Sequence, residues 1–331
     1  MCFVYLTEPG MKLSKSGGTY MVGDQEKLRY QIPAETVEGI VMMGSTNITS
    51  SAVVDVLKRK IPVSWVTSSG EFCGSFQPPS GQQALKQQKQ VLMQDTPFSL
   101  EMGKKFIQAK INNQIALLRR CNRTAGNEEV KMAADKMKIM KKEVMKSLDR
   151  NQLLGIEGIS ARLYFQSLSK MVKKDFAFAK RSTRPPKDSF NAMLSFGYTL
   201  LSSEIYTAVK IQGLHPYFGS LHVLRDGHAA LVSDLLEEWR AVVVDAMVWS
   251  LIQHNEIRPE HFEKSSKGKG IFLTRAGKEI FLHGYEKKMR STHVVNGYRY
   301  TLRQCIRQQC YQYSRALMQE NSALYTAYTM R

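Results

Sequence analysis

The stretch FCGSFQPPSGQQALKQQKQ, residues 72–90, decides the fold. An apolar run that reads as strand ends there. Two prolines, a glycine and polar side chains follow, a composition that makes QPPSGQQ (77–83) a linker. The period of the pattern then changes. Residues 1–76 carry short runs rich in β-branched and aromatic side chains (CFVYLT, TYMV, KLRYQI, GIVMMG), punctuated by Gly, Pro and Asp. One helix is expected at Thr49–Arg59, where Ala52, Val53, Val56 and Leu57 form a stripe, and IPVSWVT and FCGSF return as strands. This half reads as a mainly antiparallel β-domain.

Beyond the linker, apolar residues recur three and four apart over 97–121, 127–149, 158–173, 190–212, 229–254 and 298–320, the spacing of helices that bury one face. SSKGKG (265–270) reads as a basic loop and IFLTRAGKEIFL as a hairpin. The fold class is therefore α+β: an N-terminal β-rich domain (1–76), a linker (77–83) and a larger α-helical domain (84–331).

The charge is uneven. Of a net +18, residues 86–187 carry +14, with 23 Lys/Arg against 9 Asp/Glu. A concentration of this kind points to a polyanionic partner, above all nucleic acid. Five scattered cysteines without a CxxC pair argue for free thiols and against a structural zinc site. MCFVYLTEPG lacks the basic start and long apolar core of a signal peptide, and no apolar run approaches the ~18 residues of a membrane span. A cytoplasmic protein is expected.

Three stretches carry candidate chemistry. In HVLRDGHAALVSDLLEEWR (222–240), Leu231, Leu235, Trp239, Val242 and Ala246 share the buried side of a helix. Asp234 and Glu237, three apart, share the other side, so their carboxylates converge. His222 lies just upstream, with Arg225 and Arg240 as positive partners, while Glu238 sits nearer the apolar stripe. One imidazole with carboxylates suits Mn2+ or Mg2+. A solvated helix face carries the same residue types. In LLGIEGISARLYF (153–165), Glu157 stands between Gly155 and Gly158 at the entrance to a helix that buries Leu163, Tyr164 and Leu168. The glycines allow close backbone approach, and an ordinary helix-start acid is the plainer account. In KKDFAFAKRSTRPPKDSFN (173–191), Lys173, Lys174, Arg181 and Arg184 flank an RPP corner with Phe176 and Phe178 interleaved, which suits a loop that grips phosphates and stacks on unpaired bases. Asp188 and Asn191 read as capping residues.

Taken in order, GIEG-x-x-A-R-x-Y, RPP-x-D-x-x-NAMLSFGYTLL, GLHPYFGSLH-x-x-R and SDLLEEWR resemble the CRISPR-associated integrase that inserts new spacers into a CRISPR array. EPG-x-KLSKSGG, VEGIVMMGSTNITSSAVVDVL and IPVSWVTSSGEFCG resemble the β-rich domain of that family, and the likeness runs from about residue 3 to past residue 285. The resemblance implies that Glu157, His222 and Glu237 hold a divalent ion, with Asp234 a supporting catalytic acid. It also implies a β-domain that dimerises, double-stranded DNA as substrate, and a small ferredoxin-like CRISPR-associated partner. His228 falls outside the family pattern. The activity implied is transfer of a 3′-hydroxyl onto a phosphodiester; a metal-dependent nuclease and a non-catalytic DNA scaffold are the alternatives.

Overall fold

A computed structural model describes residues 2–24, 27–76, 83–183, 185–265, 269–295 and 297–330. Most of the linker, 77–82, lies outside the described residues, as does Arg184. The chain divides into two compact units, 1–82 and 83–331.

The first unit is built from two four-stranded sheets. One has the order β1 (Cys2–Leu6), β5 (Val37–Met43), β7 (Val63–Val66), β8 (Phe72–Phe76); the other has β4 (Leu28–Pro33), β3 (Thr19–Gly23), β2 (Lys12–Ser16), β6 (Asn47–Ile48). The mainly antiparallel reading needs correction. β1 pairs parallel with β5, β5 with β7, and β2 with β6. Parallel neighbours need a crossover, and the helix α1 (Ser50–Lys58) lies in the connection between β5 and β7. Thr49 caps it by accepting from the amide of Ala52 at 3.3 Å. Ala52 and Val56 from α1 close the core with Leu6, Leu13, Tyr20, Ile40 and Met42. The Tyr20 hydroxyl emerges from that core to donate to Asp55 at 2.8 Å.

The second unit is mostly helical: α2 (Ala84–Leu92), α3 (Pro97–Ala125), α4 (Glu128–Val144), α5 (Arg150–Ser169), α6 (Ser189–Ile211), α7 (Ala230–Leu236), α8 (Ala246–Gln253), α9 (Arg275–Met289) and α10 (Leu302–Met318). Two small hairpins interrupt it, β9 (Phe262–Lys264) with β10 (Ile271–Leu273) and β11 (Thr292–Val295) with β12 (Tyr298–Thr301). IFLTRAGKEIFL is therefore not a hairpin in itself; its first residues are β10, and Thr274 then caps α9 by accepting from Gly277. The helix expected from 298 starts at Leu302, after β12, because Thr301 and Gln304 form a capping box there. The single helix read over 229–254 is broken by a π-helical turn at Arg240–Asp245.

That turn packs against α6, where Gly197 faces Val244. A Cβ on Gly197 would come within 2.5 Å of Val244 Cγ1 and 3.0 Å of Phe281 Cζ. Crowding two short, stiff side chains forces a backbone shift, so Gly197→Ala should cost about 1–3 kcal/mol. The melting temperature should fall by several degrees, and an unchanged melt would show that the α6 contact is looser than described.

Candidate active site

The site begins with a loop folded onto α7. Asp234 is fully buried, and its carboxylate accepts from the backbone amides of Ser220, Leu221 (2.9 Å) and His222 (2.9 Å). The fourth partner is the His222 ring, with Nδ1 2.7 Å from Asp234 Oδ1. The fit requires a glycine, because a Cβ on Gly219 would lie 2.6 Å from Asp234 Oδ2 and 2.8 Å from the Ala230 backbone. From α2, Gln90 clasps the same loop, accepting from the His215 amide and donating to the carbonyls of His215 and Phe218. Asp234 is thus spent on building the loop. Its carboxylate fixes the proton on Nδ1 of His222 and leaves Nε2 as the ring's available nitrogen. Burial works against protonating His222, but Asp234 and then Glu237 outweigh it and raise its pKa above the usual value.

Glu157 and Glu237 meet through a residue that sequence reading passed over. Lys110, on α3, lies between them with its side chain only 9% exposed. It donates to Glu157 Oε1, and its Nζ is 2.5 Å from Glu237 Oε2. Glu157 is not at a helix entrance: α5 starts at Arg150, capped by Asp149, and Glu157 lies two turns inside. Gly155 and Gly158 do not admit a neighbouring backbone, since a Cβ on either meets open space. Glu237 is buried too, and Arg240 reaches it at 3.2 Å. Burial alone would raise the Glu237 carboxyl, but Arg240 and Lys110 carry it down to about 2, so it stays ionised. Its Oε2 is held by charge and lacks a directed hydrogen bond. Among the described residues, no three His, Cys, Asp or Glu side chains are close enough to hold one ion together. The donor chemistry nevertheless fits Mn2+ or Mg2+: two carboxylates converging on one cation, beside an imidazole of fixed tautomer.

The reading of DLLEE as a solvated face fails, because Asp234, Glu237 and Glu238 are all buried. Glu238 points away from Lys110 into a second network. It accepts from the Tyr325 hydroxyl, from the Tyr328 amide at 2.8 Å and from Gln309 at 3.1 Å. Tyr328 stacks on Trp239 with ring centres 4.6 Å apart. Asn113, one turn beyond Lys110 on α3, donates to the carbonyls of Glu238 and Tyr328 and accepts from the Met330 amide. The last residues of the chain therefore brace the segment that carries Glu237. On the other side Arg240 covers the ring of Tyr198 at 4.7 Å, and Asp245 accepts from the hydroxyls of Tyr198 (2.5 Å) and Tyr164 (2.7 Å).

The candidate DNA-binding residues divide. Lys174 and Arg225 are exposed, Arg225 in the loop just past His222. Lys173 is tied to the end of α8 through the Gln253 carbonyl and Asn255. Arg181 folds inward onto Asn191 (2.8 Å) and Ser195 (3.1 Å), and Arg184 lies outside the described residues. Phe176 and Phe178 do not await bases: both are buried, Phe178 stacked on Phe190 at 4.4 Å and Phe176 edge-on to Phe262. Asp188 caps α6 as expected, accepting from the Asn191 amide. His228 is half-buried, its ring 5.6 Å from that of His222.

The buried acids fix how stability depends on pH. Burial raises Glu238 to about 7 and Asp245 to about 6, against ordinary values of 4.5 and 3.8. The folded chain therefore holds protons that the unfolded chain has released, and stability must decline as pH rises through that interval. Glu237, being lowered, acts in the opposite sense only below about pH 4.5. The melting temperature should fall between pH 5 and pH 8, and Glu238→Gln should flatten that slope. A variant with the wild-type slope would remove Glu238 as its source.

Comparison with known proteins places the chain in a family. The profile of the family described as CRISPR associated protein Cas1 matches residues 4–287. The CRISPR-associated endonuclease Cas1 of Mycobacterium tuberculosis is 34% identical over 296 residues, covering 88% of this chain and 86% of that protein. A chain of a Cas6-RT-Cas1–Cas2 complex superimposes with a TM-score of 0.86 at 25% identity over 100% of this chain, which spans 36% of the larger one. A Cas1 protein from Thermotoga maritima shares the fold, with a TM-score of 0.81 at 24% identity over 99% of this chain and 100% of that one. With its β-rich first unit, its helical second unit and the matched motifs in order, this chain belongs to the Cas1 family of CRISPR-associated proteins.

Proposed function

We propose that this protein is a metal-dependent DNA integrase that joins the 3′-hydroxyl of a captured DNA fragment to a phosphodiester at a CRISPR repeat. The observation that carries the reading is the convergence of Glu157 and Glu237 on one buried cation, from helices 80 residues apart in sequence, with the Asp234-oriented His222 in electrostatic reach of Glu237. Glu157, Glu237 and the Nε2 of His222 would hold Mn2+ or Mg2+, and the bound ion supplies Lewis-acid stabilisation of charge on phosphodiester oxygens.

The chain's own residues do the rest. Glu237 stays ionised across the neutral range, so its donor oxygens need no deprotonation. Lys110 and Arg240 offset the two carboxylates and keep the pocket from repelling a polyanion. His222 can accept or release a proton at Nε2 while Asp234 holds its other nitrogen. Exposed Lys131, Lys136 and Lys142 on α4 and Lys146 just past it, with Lys174 and Arg225, offer a salt-sensitive grip on a DNA backbone that does not read sequence.

The first unit is proposed as the dimerisation module and a small ferredoxin-like Cas2-type protein as the partner. The Cas2 named in the Cas6-RT-Cas1–Cas2 complex supports the second. No helix among the described residues is long and apolar enough to cross a membrane. A second reading, hydrolysis with water as nucleophile, draws on the word endonuclease in the names of the relatives.

An integration assay separates the two. Labelled short duplexes with free 3′-hydroxyls are incubated with supercoiled CRISPR plasmid, Mn2+ or Mg2+ and the small partner. Label should join the plasmid covalently with the wild-type protein, and Glu237→Ala should lower joining by two orders of magnitude or more while DNA binding is kept. Cleavage without joining would favour the nuclease, and a variant as active as wild type would remove Glu237 from the chemistry.

A further inference from the structure

Lys110 is buried along α3 in company with Phe106, Ile107 and Ile111, a setting that strips an ammonium of its hydration. The carboxylates of Glu157 and Glu237 compensate it. The dependence runs both ways. With a neutral side chain at position 110, the two acids would face each other in a space of low dielectric, where like charges repel strongly.

The two cations of the centre are held differently. Arg240 meets Glu237 at Oε1, 3.2 Å away, and is fixed over the ring of Tyr198. Lys110 meets the other oxygen of the same carboxylate, Oε2, which lacks a directed hydrogen bond, and donates to Glu157 Oε1. An ammonium is a point charge on a flexible stem, whereas a guanidinium is planar and stacks. Lys110 is therefore the movable cation, and its contact with Glu237 is of the kind that a hard divalent ion can take over. The balance of charge agrees. Two carboxylates against Lys110 and Arg240 leave the centre neutral, and a divalent ion added to that set leaves two positive charges in excess. Such an excess in a desolvated space favours withdrawal of the cation that is free to move.

We propose that Lys110 is a resident counter-ion that stands in for the metal. It lets the two carboxylates be buried together as the chain folds, and its ammonium leaves them when Mn2+ or Mg2+ binds. The centre thus forms without metal and takes it up afterwards, at an affinity reduced by the ion pairs that must break. The inference rests on the metal-centre reading above and adds to it the residue that the ion displaces.

The test compares wild type with Lys110→Met, an unbranched side chain of similar length without the charge. Mn2+ binding is followed by electron paramagnetic resonance, and melting is recorded in EDTA and in Mn2+. Lys110→Met should bind Mn2+ more tightly by about tenfold or more, because no ion pair has to be broken. It should melt below wild type in EDTA and gain more from Mn2+ than wild type does, since the ion supplies the missing charge. Adding Glu237→Gln to Lys110→Met should abolish that gain, which assigns the ion to this centre. A lysine that merely supports the ligands has the opposite signature: weaker Mn2+ binding and a melting deficit that Mn2+ does not repair. That result, or equal affinity in the two proteins, would overturn the proposal while Mn2+ binding by the wild type keeps the metal-centre reading. Should Lys110→Met be unfolded in EDTA by circular dichroism, recovery of the folded spectrum on adding Mn2+ supports the proposal and failure to recover overturns it. Mn2+ bound by neither protein would overturn the proposal and the reading beneath it together.

Discussion

A single buried ammonium organises the centre of this protein. Lys110 sits where α5 and the end of α7 each deliver a carboxylate, and without it two like charges would share a desolvated space. Removing one partner from such a group leaves an uncompensated charge, which costs more than the intact group ever contributes. Arg240 adds the balancing cation and is itself fixed over Tyr198. The π-helical turn starting at Arg240 serves this arrangement, because it carries Arg240 toward Glu237 and Asp245 toward Tyr164 and Tyr198 within six residues. Such turns recur at functional sites because they re-aim side chains without ending the helix.

Two acids of one short stretch, Asp234 and Glu237, take different work although both lie on one side of the segment. Asp234 is a scaffold: four donors surround it, and the His222 ring takes its tautomer from it. Glu237 is the one proposed for the chemistry, buried but left with an oxygen that only charge satisfies. Glu238, one residue on, is claimed by Tyr325, Tyr328 and Gln309, so the chain's last residues set the orientation of its neighbour. The α3 helix joins the halves, with Lys110 and Asn113 one turn apart serving the two carboxylate networks in turn.

Much of this was legible in the sequence. The change from period two to period 3.6 around QPPSGQQ located the two units, and Thr49, Asp188 and the 97–121 periodicity marked real helix starts. Glu157, His222, Asp234 and Glu237 were singled out by residue type and by the family resemblance, and of these the structure brings Glu157 and Glu237 onto Lys110 and His222 onto Asp234. What failed, failed for physical reasons. Periodicity sees which side chains are apolar but not which polar ones are buried, so Lys110 did not stand out among the basic residues of its block and a solvated face stayed open as the alternative for DLLEE. Phe176 and Phe178 read as a stacking surface because local sequence does not show that Phe178 folds back onto Phe190 of the same stretch or that Phe176 meets the distant Phe262. Parallel pairing of β1, β5 and β7 depends on crossovers that strand composition does not reveal. The role of Tyr325 and Tyr328 is tertiary throughout.

The central claim is that Glu157, His222 and Glu237 form one ion-binding centre around the position Lys110 now neutralises. It is tested most directly by Mn2+ titration followed by electron paramagnetic resonance on the wild type and on Glu157→Gln, His222→Asn and Glu237→Gln. The account predicts one tightest Mn2+ per chain, and loss of that same ion in each of the three variants. Tight binding retained in any two of them would mean that the residues do not share an ion, and the account would be wrong.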